Sequence, residues 1–86
     1  MRLIFAEQAW KDYRYWLQTD RKIIRRVHEL IKDAMRSPFE GIGKPEPLRQ
    51  ALAGYWSRRI TDEHRMVYKV EGSSLLLAQL RYHYAR

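Results

Sequence analysis

Three side chains of complementary chemistry stand out: Glu46, held between Pro45 and Pro47; Arg65; and His83, in the closing Arg81-Tyr82-His83-Tyr84. A carboxylate, a guanidinium and an imidazole are the groups needed to break an RNA phosphodiester without a metal ion. The carboxylate takes the proton of the 2′-hydroxyl, the cation holds the phosphate as its charge grows, and the imidazole protonates the departing 5′-oxygen. General acid–base help of this kind contributes roughly 100- to 10,000-fold per group, and a positioned cation adds comparable stabilisation of charge. Histidine is the side chain whose unperturbed pKa lies near neutrality. Each residue also has a plain reading: Glu46 as a solvated loop carboxylate, His83 as a terminal histidine without a task, Arg65 as a strand cation paired with Asp62 or Glu63. In the same plain reading Arg58 and Arg59 keep an edge strand from sticking. Trp10, Trp16 and Trp56 read as core, and His28 and His64 as surface residues.

The surrounding pattern predicts the elements that must hold these groups. Arg2-Leu3-Ile4-Phe5 reads as a first strand. Ala9, Trp10, Tyr13, Trp16 and Leu17 recur at three and four, which predicts a helix over residues 7–18. Asp20 is placed to cap a second helix. That helix carries Ile23, Ile24, Val27, Leu30, Ile31 and Ala34 on one side and charges on the other, and Ser37-Pro38 ends it. Residues 37–47 read as a loop in which Gly41 and Gly43 supply flexible or left-handed positions while Pro45 and Pro47 stiffen the chain around Glu46. Residues 48–52 read as a short strand or a turn of helix. Strands follow over 54–60, 64–70 and 75–82. Met66, Tyr68 and Val70 are expected on one face, Arg65, Val67 and Lys69 on the other. Leu76, Ala78, Leu80 and Tyr82 are expected to face the helices, with Gln79, Arg81 and His83 opposite. The expected fold is α+β, two N-terminal helices packed on an antiparallel sheet in the order β-α-α-β-β-β-β, with one sheet face left cationic for RNA.

At 86 residues the chain reads as a single domain, 1–86. A net charge of +7 favours a polyanionic partner. The excess is spread evenly, with 9 basic and 5 acidic residues in 1–36 and 8 and 5 in 37–86, which places it on a folded surface rather than a tail. With no cysteine there is no disulfide, thiolate nucleophile or Cys-based zinc site. The three histidines lack metal-ligand spacing, so no cofactor or metal is expected. The start of the chain has no signal-peptide pattern, and the longest apolar run, Leu75-Leu76-Leu77-Ala78, is too short for a bilayer. A soluble cytoplasmic protein with no membrane role is expected. A non-catalytic nucleic-acid-binding module acting with a partner protein stands as the alternative. A third reading is an inert partner in a protein complex.

Several longer strings occur together: Pro38-Phe39-Glu40-Gly41, Gly43-Lys44-Pro45-Glu46-Pro47-Leu48, Trp56-Ser57-Arg58-Arg59-Ile60-Thr61, His64-Arg65-Met66-Val67-Tyr68 and the terminal Arg81-Tyr82-His83-Tyr84. In this order, with the Tyr-x-Tyr-Trp ending at Trp16, the chain resembles the YoeB toxins of the RelE superfamily over essentially its whole length. The resemblance implies a microbial-ribonuclease-like fold and a type II toxin–antitoxin messenger RNA interferase that enters the ribosomal A site, contacting messenger and ribosomal RNA, and inhibits translation. It implies Glu46 as general base, Arg65 as phosphate-stabilising cation, His83 as general acid and Tyr84 as an aromatic beside the substrate. Arg49 stands where a lysine is common, keeping the charge with a different donor geometry. Lys44, Arg59 and Arg81 are expected to bind substrate with it. The implied partners are a YefM-type antitoxin, operator DNA only through the antitoxin complex, and a second copy in a homodimer. Two features depart from the pattern. The chain runs on past Tyr84 to Ala85-Arg86, and strand alternation puts Tyr84 opposite His83.

Overall fold

The computed structural model describes residues 1–83. The elements run β1 (Arg2–Phe5), α1 (Glu7–Thr19), α2 (Arg21–Arg36), β2 (Glu46–Pro47), a 3-10 turn (Gln50–Leu52), β3 (Trp56–Arg59), β4 (Arg65–Glu71) and β5 (Ser74–Gln79). The five strands form one sheet in the order β1-β5-β4-β3-β2. The expected antiparallel meander is β2 to β5, and β1 runs parallel beside β5, so the sheet is mixed.

The α2 pattern translates directly into packing. Asp20 accepts from the backbone N–H groups of Lys22 and Ile23 at 3.0 and 3.1 Å, satisfying donors that the first turn leaves open. Ile24, Val27, Leu30, Ile31 and Ala34 are buried against the sheet. In α1 only part of the expected face is core. Ala9 and Trp16 are buried, whereas Trp10 and Leu17 are 48% and 51% exposed. The third buried residue of α1 is Asp12, a position where the sequence shows only a charge.

The last strand departs from the expected alternation in an informative way. Leu75 and Leu77, not Leu76 and Ala78, are fully buried in the core with Tyr68 and Met66. A β-bulge then intervenes: Tyr68 pairs with Leu77 but Val67 with Gln79, leaving Ala78 unmatched. The extra residue inverts the phase. Gln79 therefore lies on the face away from the helices and Leu80 returns to the core, as expected for those two. β5 ends at Gln79 and does not reach Tyr82. Tyr82, expected against the helices, is 40% exposed.

Candidate active site

Register brings the distant candidates onto one face. Directly paired residues project to the same side of a sheet. Glu46 pairs with Ser57, Ser57 with Val67, and Val67 with Gln79, one row crossing four strands. The neighbouring row holds Arg59 opposite Arg65. Both rows lie on the face away from α1 and α2. From two strand spacings and two residues of offset, the Cα atoms of Glu46 and Arg65 are roughly 12 Å apart. A phosphodiester and two side chains fill such a gap.

Arg65 is buried, and its fixing is specific. Its Nη1 donates to the carbonyls of Thr61, Asp62 and His64 at 2.8, 3.0 and 3.2 Å. Asp62 contributes its backbone rather than an ion pair. The bonds to the protein are made through Nη1, and among the described residues no acceptor lies within hydrogen-bond reach of Nε or Nη2. A cation locked this way needs little reorganisation as charge develops.

His83 is exposed and lies just beyond β5. The chain before it is bound on several sides. Leu80 donates to Asp12 Oδ2 (2.9 Å), and its carbonyl accepts from Trp16 Nε1 (2.9 Å). Arg65 N–H donates to the Tyr82 carbonyl (3.0 Å), which sets His83 beside Arg65. Tyr82 N–H donates to His64 Nδ1 at 2.7 Å. His64 is thus buried, contrary to the surface reading, with its ring edge-on to Trp16. Burial holds its pKa below the ordinary value, against a smaller opposing pull from Glu63. The neutral ring keeps Nδ1 free to accept.

Arg81 was expected beside Gln79 and His83. It turns instead towards α1, its guanidinium carbon 3.7 Å from the centroid of Tyr15. The strand has already ended, so alternation no longer governs its direction. Lys69 lies on the expected face but pairs with Glu71 at 3.3 Å, over the Tyr55 ring. Tyr84 lies outside the described residues.

A buried arginine positions the loop leading to Glu46. Arg58 is fully buried on the helix side of β3, contrary to an edge-guarding role. It donates to Asp33 at 2.6 Å, to the Tyr68 hydroxyl, and to the carbonyls of Ser37, Glu40 and Ile42. Asp33 also accepts from Arg36 and from Ile42 N–H. These donors, Arg36 first, hold its carboxyl well below the usual range. Arg59 N–H then ties β3 to the Gly43 carbonyl at 2.7 Å. At Gly43, with φ +82°, a Cβ would sit 2.7 Å from Leu30 Cδ2, so the close approach requires glycine.

Glu46, Pro47, Leu48, Arg49 and Gln50 line a cleft of about 490 Å³. Lys44, Arg49 and Arg59 are all exposed. Lys44, Gln50 and Tyr82 have φ of 52°, 54° and 59°, and they are the non-glycine residues with positive φ among those described. One is two residues before Glu46, one follows Arg49, and one precedes His83. Strain of about 1–3 kcal/mol per such residue persists where the surroundings over-determine it, commonly at functional sites. A larger cavity of about 630 Å³ lies between β1, α1 and α2, lined by Leu3, Phe5, Trp10 and Met35 among others. It is apolar and sits at the other end of the sheet from Glu46. Among the described residues no group of three or more His, Cys, Asp or Glu is placed to hold a metal ion, and no helix is long and apolar enough to cross a membrane.

Sequence reasoning missed the supporting roles of Asp12, Arg58 and His64, and although it placed Gln79 on the face that carries the site it missed that its amide holds the chain end. The partners that tie them to the site are 10 to 68 residues away in sequence or are backbone groups, so local pattern carries no sign of those ties.

A family model described as "YoeB-like toxin of bacterial type II toxin-antitoxin system" matches residues 5–84. The Toxin YoeB of Escherichia coli strain K12 is 60% identical over 84 residues, 98% of this chain and 100% of that protein. The solved structure of a YoeB/ParE toxin from Agrobacterium tumefaciens superposes with a TM-score of 0.95 at 50% identity, covering 98% of this chain and 100% of that one. A Staphylococcus aureus YoeB has been solved in a YoeB–YefM complex (TM-score 0.90, 44% identity) and as a dimer (TM-score 0.90, 45% identity), each covering 98% of both chains.

Proposed function

The chain belongs to the YoeB-like toxins of bacterial type II toxin–antitoxin systems, and we propose that it is a metal-independent endoribonuclease that cleaves messenger RNA in the ribosomal A site. The observation that carries this reading is the shared sheet face. Glu46 and Arg65 lie in adjoining rows, and His83 is tied beside Arg65 through the Tyr82 carbonyl.

The Glu46 carboxylate removes the 2′-hydroxyl proton, and the 2′-oxygen attacks the adjacent phosphorus. The free edge of Arg65 binds the non-bridging oxygens as negative charge accumulates. The bond from phosphorus to the 5′-oxygen breaks, and His83, as imidazolium, donates a proton to that oxygen. The products are a 2′,3′-cyclic phosphate and a 5′-hydroxyl end. Solvent then returns Glu46 and His83 to their starting protonation states. Arg49, Lys44 and Arg59 bind flanking phosphates, and Tyr84 packs beside the substrate. Arg81, committed to Tyr15, has no substrate contact in this mechanism. The ribosome's part is to present the codon in a fixed geometry, since orientation alone is worth several orders of magnitude.

The partner in this reading is a YefM-type antitoxin, as in the S. aureus complex. Operator DNA is contacted through that complex, and a homodimer forms without it, as in the S. aureus relative. The chemistry of the ends tests the mechanism. Cleaved messenger should label with polynucleotide kinase without prior phosphatase treatment, because 2′-hydroxyl attack leaves a 5′-hydroxyl. Ends that carry a 5′-phosphate would rule out 2′-hydroxyl attack.

A further inference from the structure

The face that carries the proposed chemistry also carries Gln79, whose amide is spent on the chain end. Gln79 Nε2 donates to the carbonyls of Arg81 and His83 at 2.9 and 3.0 Å, with a longer approach of 3.5 Å to that of Tyr82. On the other side of the same segment, His64 Nδ1 takes the Tyr82 N–H. Tyr82 sits between the two in the left-handed region at φ 59°, a conformation a tyrosine adopts only under constraint. Gln79 reaches these carbonyls because the bulge at Val67/Tyr68 turns it out of the core.

We propose that Gln79 and His64 are positioning residues: they clamp the backbone of residues 81–83 and so fix the His83 imidazole beside Arg65. This rests on the reading of His83 as general acid. The two ends of the clamp differ in chemistry. Gln79 supplies donors that do not titrate. His64 supplies an acceptor that exists only in the neutral ring, so acid releases this end. The charged and titratable groups facing His64 are Glu63 and Arg65 on its own segment, Asp12 on α1, and Arg81 and the Tyr82 ring from the chain end. Glu63 Oε1 lies 3.5 Å from His64 Nε2, consistent with the proton residing on Nε2 while Nδ1 accepts.

The test uses the full-length toxin as wild type, Gln79→Glu (same shape, no donor when ionised) and Gln79→Met. Two quantities are read: the ¹⁵N order parameter of the His83 amide in the free toxin, and the single-turnover cleavage rate on programmed ribosomes. We expect the order parameter to fall from about 0.85 to below about 0.6 in both variants. The rate at saturation should fall roughly 10- to 100-fold, with half-saturation within about twofold. In the wild type, acidification should loosen the Tyr82 and His83 amides in step with the ring shifts of His64, not those of His83. Retained order at His83 in both variants would overturn the clamp whatever the cleavage rate. Lost order with unchanged cleavage would overturn the positioning role. Loosening that follows the His83 ring would remove His64 from it. A His83→Ala control separates the two readings: if it cleaves like wild type, the general-acid assignment fails, while the order parameters still decide the clamp.

Discussion

Glu46 and His83 are both exposed, where substitutions commonly change stability little. Glu46→Gln and His83→Ala should each lower the single-turnover cleavage rate about 100- to 10,000-fold, with thermal midpoints within about 4 °C of wild type. Circular dichroism melts alongside the kinetics check both halves, and wild-type rates in either variant would remove that residue from the mechanism. Arg58 is the converse case, since it touches no substrate in the proposed reaction. Arg58→Met takes one donor from Asp33, which keeps Arg36 and the Ile42 N–H, and removes the Arg58 donor from the buried Tyr68 hydroxyl and three carbonyls. The expected loss is about 3 kcal/mol or more, which lowers the midpoint by at least about 10 °C in a domain of this size. A melt unchanged from wild type would show that the buried arginine is dispensable.

At the scale of elements, the site depends on segments that are not themselves regular. The loop before Glu46 is shaped by Arg58 and Gly43, and the chain end before His83 by Asp12, Trp16, His64 and Gln79. One of these ties is pH-dependent, and its sign follows from burial. In the unfolded chain His64 binds its proton near the ordinary value of 6.5, and in the folded protein it does so only at lower pH. Between those values the unfolded state holds more protons, so stability falls as pH falls through that window. Above about 6.5 the contribution is complete. Urea midpoints measured between pH 8 and pH 5 should decline more steeply for wild type than for His64→Asn. Parallel declines would show that His64 is not the group responsible. The elements also show where pattern is a sufficient guide. The α2 stripe and the Asp20 cap could be read directly, because a 3.6-residue period and a capping side chain are local. The first half of β5 could not, because Leu75-Leu76-Leu77-Ala78 is apolar throughout and an unbroken run carries no phase. Only the bulge opposite Val67, set by pairing between strands, fixes which leucines are core.

Over the whole molecule, the candidates that could be named from sequence are those whose chemistry lies in the residue itself, Glu46, Arg65 and His83, together with a basic balance suited to a polyanion. The supporting network was not legible. An arginine followed by another arginine, or an aspartate in a charged helix, looks like surface until a partner across the fold is known. Arg58–Asp33 and Asp12–Leu80 are such pairs. The global arrangement is two-sided. Helices, core and apolar cavity occupy one side of the sheet, and the rows that carry Glu46 and the Arg59–Arg65 pair lie on the other. A net charge of +7 suits a nucleic-acid partner, but many basic proteins share that property. What separates a nuclease from a basic binding module is whether the three groups act together on one phosphate. The most direct test is primer extension on ribosomes stalled with a defined codon in the empty A site, using wild-type toxin, Glu46→Gln, His83→Ala and ribosome-free messenger in parallel. The account predicts a cut within the A-site codon by wild type and none in the other three. Intact messenger with folded wild-type toxin bound to the ribosome would contradict it and leave a binding module in its place.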